Sequence, residues 1–120
     1  MPAARTKSHT VRKHFEGKDP QVIETYEAIV HAARTFGPML ESPKQTSIHL
    51  DRKAAFAGVA TRKTSLILTI KSDQDIVSPR IMKHQQTSPG RWHVDVRLES
   101  PAQVDGELVG WLKRAYALAG

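Results

Sequence analysis

His93, Asp95 and Arg97 alternate with Trp92, Val94, Val96 and Leu98 along one stretch of a 120-residue chain. Period-two alternation sends the apolar set to one face of a strand and the polar set to the other. Same-face neighbours lie roughly 6.5 to 7 Å apart. Asp95 is therefore placed to be shared between His93 and Arg97, holding the imidazole and leaving a guanidinium fork partly free for a carboxylate or phosphate. His49 stands on the polar side of an earlier alternating segment, with Lys44 at its entrance. Lys44, His49, His93, Asp95 and Arg97 are the candidate ligand-binding set. His49 facing His93, with Asp51 and Asp95 nearby, would also suit a metal or an acid–base pair. Isolated strand histidines at no recognised ligand spacing are more often plain surface, and charge pairs solubilise an open sheet face without any ligand. No metal and no cofactor is therefore expected, and no catalytic residue is assigned.

A second set of side chains suits anions. Eighteen Lys and Arg against twelve Asp and Glu leave a formal charge of +6, which raises the local concentration of phosphates around the protein. The basic residues gather at expected turns: Arg52 and Lys53, Arg62 and Lys63, Arg80 with Lys83, and Arg91. These are candidate phosphate contacts, with the alternative that charged turns are ordinary on soluble proteins. Aromatic residues make up only 6% of the chain, and Trp92 and Trp111 are in phase with apolar stripes, so both are expected in the core. Backbone phosphate contact is thus favoured over base stacking. The chain contains no cysteine, which excludes disulfides, thiolate zinc sites and thiol nucleophiles. No phosphate-binding glycine loop, nucleophile elbow, H-E-x-x-H helix or calcium loop occurs.

These side chains need a frame. Asp19-Pro20 starts a long helix by a cap followed by proline, and Gly37-Pro38 ends it. Val22, Tyr26, Ile29, Val30 and Ala33 form its apolar stripe. Val104, Leu108, Trp111, Leu112 and Ala115 repeat that spacing in a second long helix, which the S-P-A-Q run from Ser100 opens as a capping box, with Asp105 and Glu107 near the positive end of its dipole. Between them, 46–50, 54–60 and 65–71 read as three strands joined by short turns, hence antiparallel. The region from Ser72 to Arg91 reads as a connection, with a short helix begun by Ser78-Pro79 and running through Ile81, Met82 and Lys83. The expected fold is α+β: two layers, a four-stranded mainly antiparallel sheet with two long helices on one face, in the order α-β-β-β-short α-β-α. Residues 1–18 are expected as a partly mobile basic arm, with Thr10 capping a short turn anchored by Val11 and Phe15. Residues 19–120 form the single domain.

Several pieces of the chain resemble the bacterial domain of unknown function 5655. They are H-T-V and F-x-G-K between His9 and Lys18, P-K-Q-T-S-I at Pro43, F-A at Phe56, S-P-R at Ser78, and R-L-x-S-P-x-x-V-D-x-E-L-x-x-W-L-x-x-A-Y from Arg97. The resemblance also falls on Lys44, His93 and Arg97. It implies a small intracellular bacterial module, seen alone or joined to other domains, and supplies no established activity.

The expectation is a non-enzymatic binding or accessory module for an anion such as nucleic acid. The alternatives are a small-ligand or enzymatic site on the polar sheet face, and a protein-interaction domain acting through a sheet edge. No apolar run approaches the roughly 18 residues of a membrane span, and no signal-peptide core is present, so a cytoplasmic protein without membrane contact is expected.

Overall fold

The computed structural model describes residues 9–120; the first eight residues of the basic arm expected over residues 1–18 lie outside them. Two helices, α1 (Pro20–Arg34) and α2 (Gly106–Leu118), pack on one face of a single sheet. Its strands are β1 (Leu40–Pro43), β2 (Ile48–Asp51), β3 (Ala55–Thr61), β4 (Leu66–Ser72), β5 (Ile81–Ser88) and β6 (Arg91–Leu98). The spatial order is β1-β2-β3-β4-β6-β5, and every pairing is antiparallel.

The two-layer α+β arrangement stands, but the sheet has six strands where four were expected. The short helix expected after Ser78-Pro79 is strand β5. Ser78 does start a turn, its Oγ accepting from the Arg80 amide and its carbonyl from the Ile81 amide. The chain then extends along β6. β5 escapes the sequence pattern because Met82 to Ser88 are all exposed, and alternation marks a strand only when one face is buried and the other wet. The other missed strand, β1, is four residues long and ends at Pro43, too short to show a period.

The inner face carries Ile48, Leu50, Phe56, Val59, Leu66, Leu68, Val94 and Leu98, all fully buried. From α1 the expected Val22, Tyr26, Ile29, Val30 and Ala33 meet them. Leu108, Leu112, Ala115 and Tyr116 do so from α2. Trp92 and Trp111 are only partly buried, and Trp111 packs at the margin of the core under the Arg80 guanidinium, 5.8 Å from the ring centre. The capping run at Ser100 makes only a three-residue 3-10 turn, with Gln103 Oε1 accepting from the Ser100 amide. The helix proper begins after Asp105, whose carboxylate accepts from the Leu108 amide at 3.1 Å. Asp105 is thus the cap of α2 rather than a residue of its first turn. Asp19 holds the cap position of α1 with no side-chain cap bond.

Thr10 to Lys18 is tied to the domain. The Lys13 amide donates to Thr10 Oγ1, His14 Nε2 lies 2.8 Å from the Lys44 carbonyl, and Thr61 Oγ1 donates to the His14 carbonyl. Val11 and Phe15 pack against the core.

Two glycines test this packing in opposite directions. Gly37 has φ +147, and a Cβ there would meet the Tyr116 hydroxyl at 2.5 Å, so Gly37→Ala is expected to cost about 1 to 3 kcal/mol. Gly110 lies within α2 with nothing within 4 Å of a built Cβ. Gly110→Ala should stabilise by up to about 1 kcal/mol. Urea melts of both variants check the pair; equal effects would remove the Gly37 contact as a constraint.

Candidate functional site

Among the described residues no helix lies on the outer face of the sheet, and its side chains follow from the register. One row across the strands runs Ser42, His49, Gly58, Thr69, Asp95 and Lys83. The next, on the side of the hairpin tip, sets Lys71 opposite His93 and His93 opposite Gln85. Toward the other end Ile67 pairs with Arg97.

This order separates the two histidines. β3 and β4 intervene, so His49 lies three strand spacings from Asp95, about 14 Å. A Cβ on Gly58 would reach to 3.8 Å from the His49 ring, so that ring lies beside β3 rather than facing His93. His49 and His93 therefore do not form a pair. Among the described residues, no three His, Asp or Glu side chains gather as metal ligands.

His93, Asp95 and Arg97 share a face but not a network. Asp95 accepts from Thr69 Oγ1 on the neighbouring strand at 2.7 Å. Arg97 reaches Glu99 at 3.4 Å with 55% of its side chain exposed, leaving most of its donors in water. Burial holds the His93 pKa below its ordinary 6.5, the positive charge of Lys71 pushes the same way, and Asp95 opposes both. His93 is consequently a neutral imidazole near pH 7, with one donor and one acceptor. Lys44 is exposed in the β1–β2 connection, on the far side of the sheet from these three.

The turn-borne cations divide into two groups. Arg80 donates to Asp105, to Glu107 and to the Gln103 carbonyl, which ties the approach to β5 to the start of α2. These carboxylates raise its pKa, and Arg80 in turn holds Asp105 below the usual carboxylate range. Arg52 donates to the Tyr116 carbonyl and lies 4.4 Å over that ring. Both guanidinium groups serve the fold. Lys53, Arg62, Lys63, Lys83 and Arg91 are exposed. Arg62 and Lys63 sit on the β3–β4 turn at the Arg97 end of the face, whereas Arg91 and Lys71 mark its other end.

Two concavities flank these surfaces. A cleft of about 360 Å³ opens where Lys71, Arg91, Trp92 and His93 meet Ala115 and Ala119 of the α2 terminus. A groove of about 670 Å³ runs along α1 past Val11, Phe15, Ile23 and Val30. At its floor the Tyr26 hydroxyl donates to Glu41 Oε1 while Arg34 holds Oε2 at 3.1 Å. Burial and the Glu41 carboxylate push the Tyr26 pKa up. Tyr26 reads in the sequence as a stripe residue, and its pairing with Glu41 depends on β1, which the sequence pattern does not reveal.

A mixed domain of this kind, with one antiparallel sheet, helices on one face and an uncovered polar face, is a two-layer α+β module. The family model for the domain of unknown function DUF5655 matches residues 11–119, and the chain belongs to that family. No curated protein and no solved structure matches it. No helix among the described residues is long and apolar enough to cross a membrane.

The lowered His93 pKa has a measurable consequence. The unfolded chain takes up this proton more readily than the folded one, so stability is intact above about pH 6.5 and declines as pH falls toward the lower folded value. His93→Gln should flatten that part of the profile. Thermal melts of parent and variant between pH 5 and 8 make the comparison, and identical profiles would mean that His93 titrates normally.

Proposed function

We propose that the protein is a non-enzymatic binding module whose uncovered sheet face contacts the phosphate backbone of nucleic acid. The observation that carries this reading is the band of cations along β4 and β6: Arg62, Lys63 and Arg97 at one end, Lys83 beside the middle, Lys71 and Arg91 at the other. From Arg97 to Arg91 the band covers about 20 Å at strand rise, the axial span of roughly six base-pair steps. Two carboxylates adjoin it: Asp95 in its midst, engaged by Thr69, and Glu99 at one end, 3.4 Å from Arg97. Gly58 and Ala60 on β3 leave the surface beside the cations low, so a rigid polyanion meets few large side chains on that flank. The neutral His93 adds hydrogen bonding without charge.

Contacts of this kind neutralise phosphates and position the ligand rather than read its sequence. Protein–protein contact through the β5 edge is a second reading, favoured by that strand's unpaired backbone. The register breaks in β5 and its Lys83 work against continuous strand pairing.

Fluorescence anisotropy with labelled duplex and single-stranded oligonucleotides, repeated across a salt series, tests the phosphate reading. Four phosphate contacts correspond to a slope of log affinity against log salt of about −3 to −4. Lys71→Ala with Arg97→Ala is expected to reduce that slope by about two while leaving stability within about 1 kcal/mol, as for exposed sites. Lys113→Ala on α2 should leave it unchanged. If the parent binds neither DNA nor RNA at low salt, the phosphate reading fails.

A further inference from the structure

Trp92 begins the inner face of β6, opposite Ser72 on β4 and Gln86 on β5. Further along that face Val94, Val96 and Leu98 are buried under the helices. Trp92 is only half-buried, because the last turns of α2 beside it carry Ala115 and Ala119, too small to cover an indole. Ala55 at the start of β3 is equally small. These side chains leave the cleft of about 360 Å³ between the end of the sheet and the end of α2. Leu118 lines it with half of its surface still exposed.

The polar groups along the cleft fall into two kinds. The Ser72 hydroxyl donates to the Gln74 carbonyl and accepts from the Gln74 amide, and Asp73 is held by two bonds from Arg114 at 3.0 and 2.8 Å. Both are engaged within the protein. Arg91 and Lys71 are exposed and form no salt bridge among the described residues. Arg91 stands beside Trp92 at the turn, and Lys71 adds its charge from the outer face of the neighbouring strand end. An apolar interior with unpaired positive charge at its rim is complementary to a molecule with a flat apolar body and one anionic end.

Going beyond the nucleic-acid reading and independent of it, we infer that this cleft binds a small aromatic carboxylate, its ring lying between Trp92 and Leu118 and its carboxylate meeting Arg91. The volume lies at the small end of the range for ligand pockets. At about 30 Å³ per non-hydrogen atom, the share of a water molecule in the liquid, it holds roughly a dozen atoms, which is one or two rings with a carboxylate. The indole offers an aromatic surface to the ring, and the guanidinium fork matches a carboxylate in a bidentate pair. The free carbonyls at the end of α2 give that side of the cleft a partial negative charge. They direct the ring toward Ala119 and the anion toward Arg91, and they favour a single negative charge over the dianion of a phosphate monoester. The cleft is separate from the cationic band on the outer face, with Arg91 and Lys71 at the boundary of both.

The test uses the isotope-labelled full chain and three probes that share one ring system: naphthoate, its neutral carboxamide, and naphthyl phosphate. Nuclear magnetic resonance titrations are expected to move the Trp92 indole and Ala119 amide signals while leaving Thr69 and Lys83 in place. Naphthoate should bind at least about tenfold more tightly than the carboxamide, as a hydrogen-bonded charge contributes, and more tightly than the phosphate ester. Arg91→Gln should bring naphthoate down to the level of the carboxamide and leave carboxamide binding unchanged, a split that loss of folding would not produce. Ala119→Leu, which fills the cleft, should exclude both.

Equal affinity for naphthoate and carboxamide, tighter binding of naphthyl phosphate, shifts centred on the outer face, or no shifts at millimolar probe would each overturn the assignment. None of these results bears on the phosphate-backbone reading, which the oligonucleotide titrations decide.

Discussion

Two helices cannot cover six strands. Helices pack side by side at 8 to 10 Å between axes and are about 10 Å across, so a pair spans roughly 20 Å. Six strands about 4.8 Å apart span somewhat more, with side chains beyond each edge. The buried side chains follow that limit: β2, β3, β4 and β6 carry the core, whereas β1 and nearly all of β5 do not. Among the described residues, no helix covers the opposite face of the sheet. The uncovered surfaces on which a ligand can act are thus consequences of how much sheet the two stripes of apolar residues can bury.

This limit also explains what the sequence disclosed. Strands β3, β4 and β6 and both helices are legible because each has one buried and one wet side, and burial is what writes a period into a sequence. β5 is wet on both faces and reads as Gln-rich irregular chain. The capping signal at Ser100 is real but satisfies a 3-10 turn, with Asp105 performing the same chemistry five residues later. Both tryptophans are in phase with their stripes yet lie at the margin of the core, because phase gives direction and not depth. The family resemblance seen in scattered motifs extends over residues 11–119.

For the candidate site, the polar face was legible and the distances along it were not. Alternation correctly places His93, Asp95 and Arg97 together, since neighbours on one strand need no knowledge of the rest of the fold. Placing His49 beside them requires the strand order. A meander sets β3 and β4 between the two histidines, and the return of β6 alongside β4 pushes β5 to the edge. Arg80 and Arg52 resemble their neighbouring turn cations in sequence. Only their contacts with Asp105, Glu107 and Tyr116 show that they hold the fold together.

Tyr116 ties distant parts of the chain: its ring meets Phe56 and Phe36, its hydroxyl donates to the Pro38 carbonyl, and Arg52 caps its own carbonyl. The hydroxyl contact links positions separated by 78 residues, whereas the hairpins β2–β3, β3–β4 and β5–β6 each join neighbours in sequence. Loop-closure entropy makes contacts of such separation the slow ones. The molecule is therefore built as a ribbon that zips locally and is latched afterwards, with the last turn of α2 as the latch. Until it engages, the aromatic face of Phe56 stands open to other chains, and the interval before latching is when the apolar face of the sheet is most exposed to misassembly.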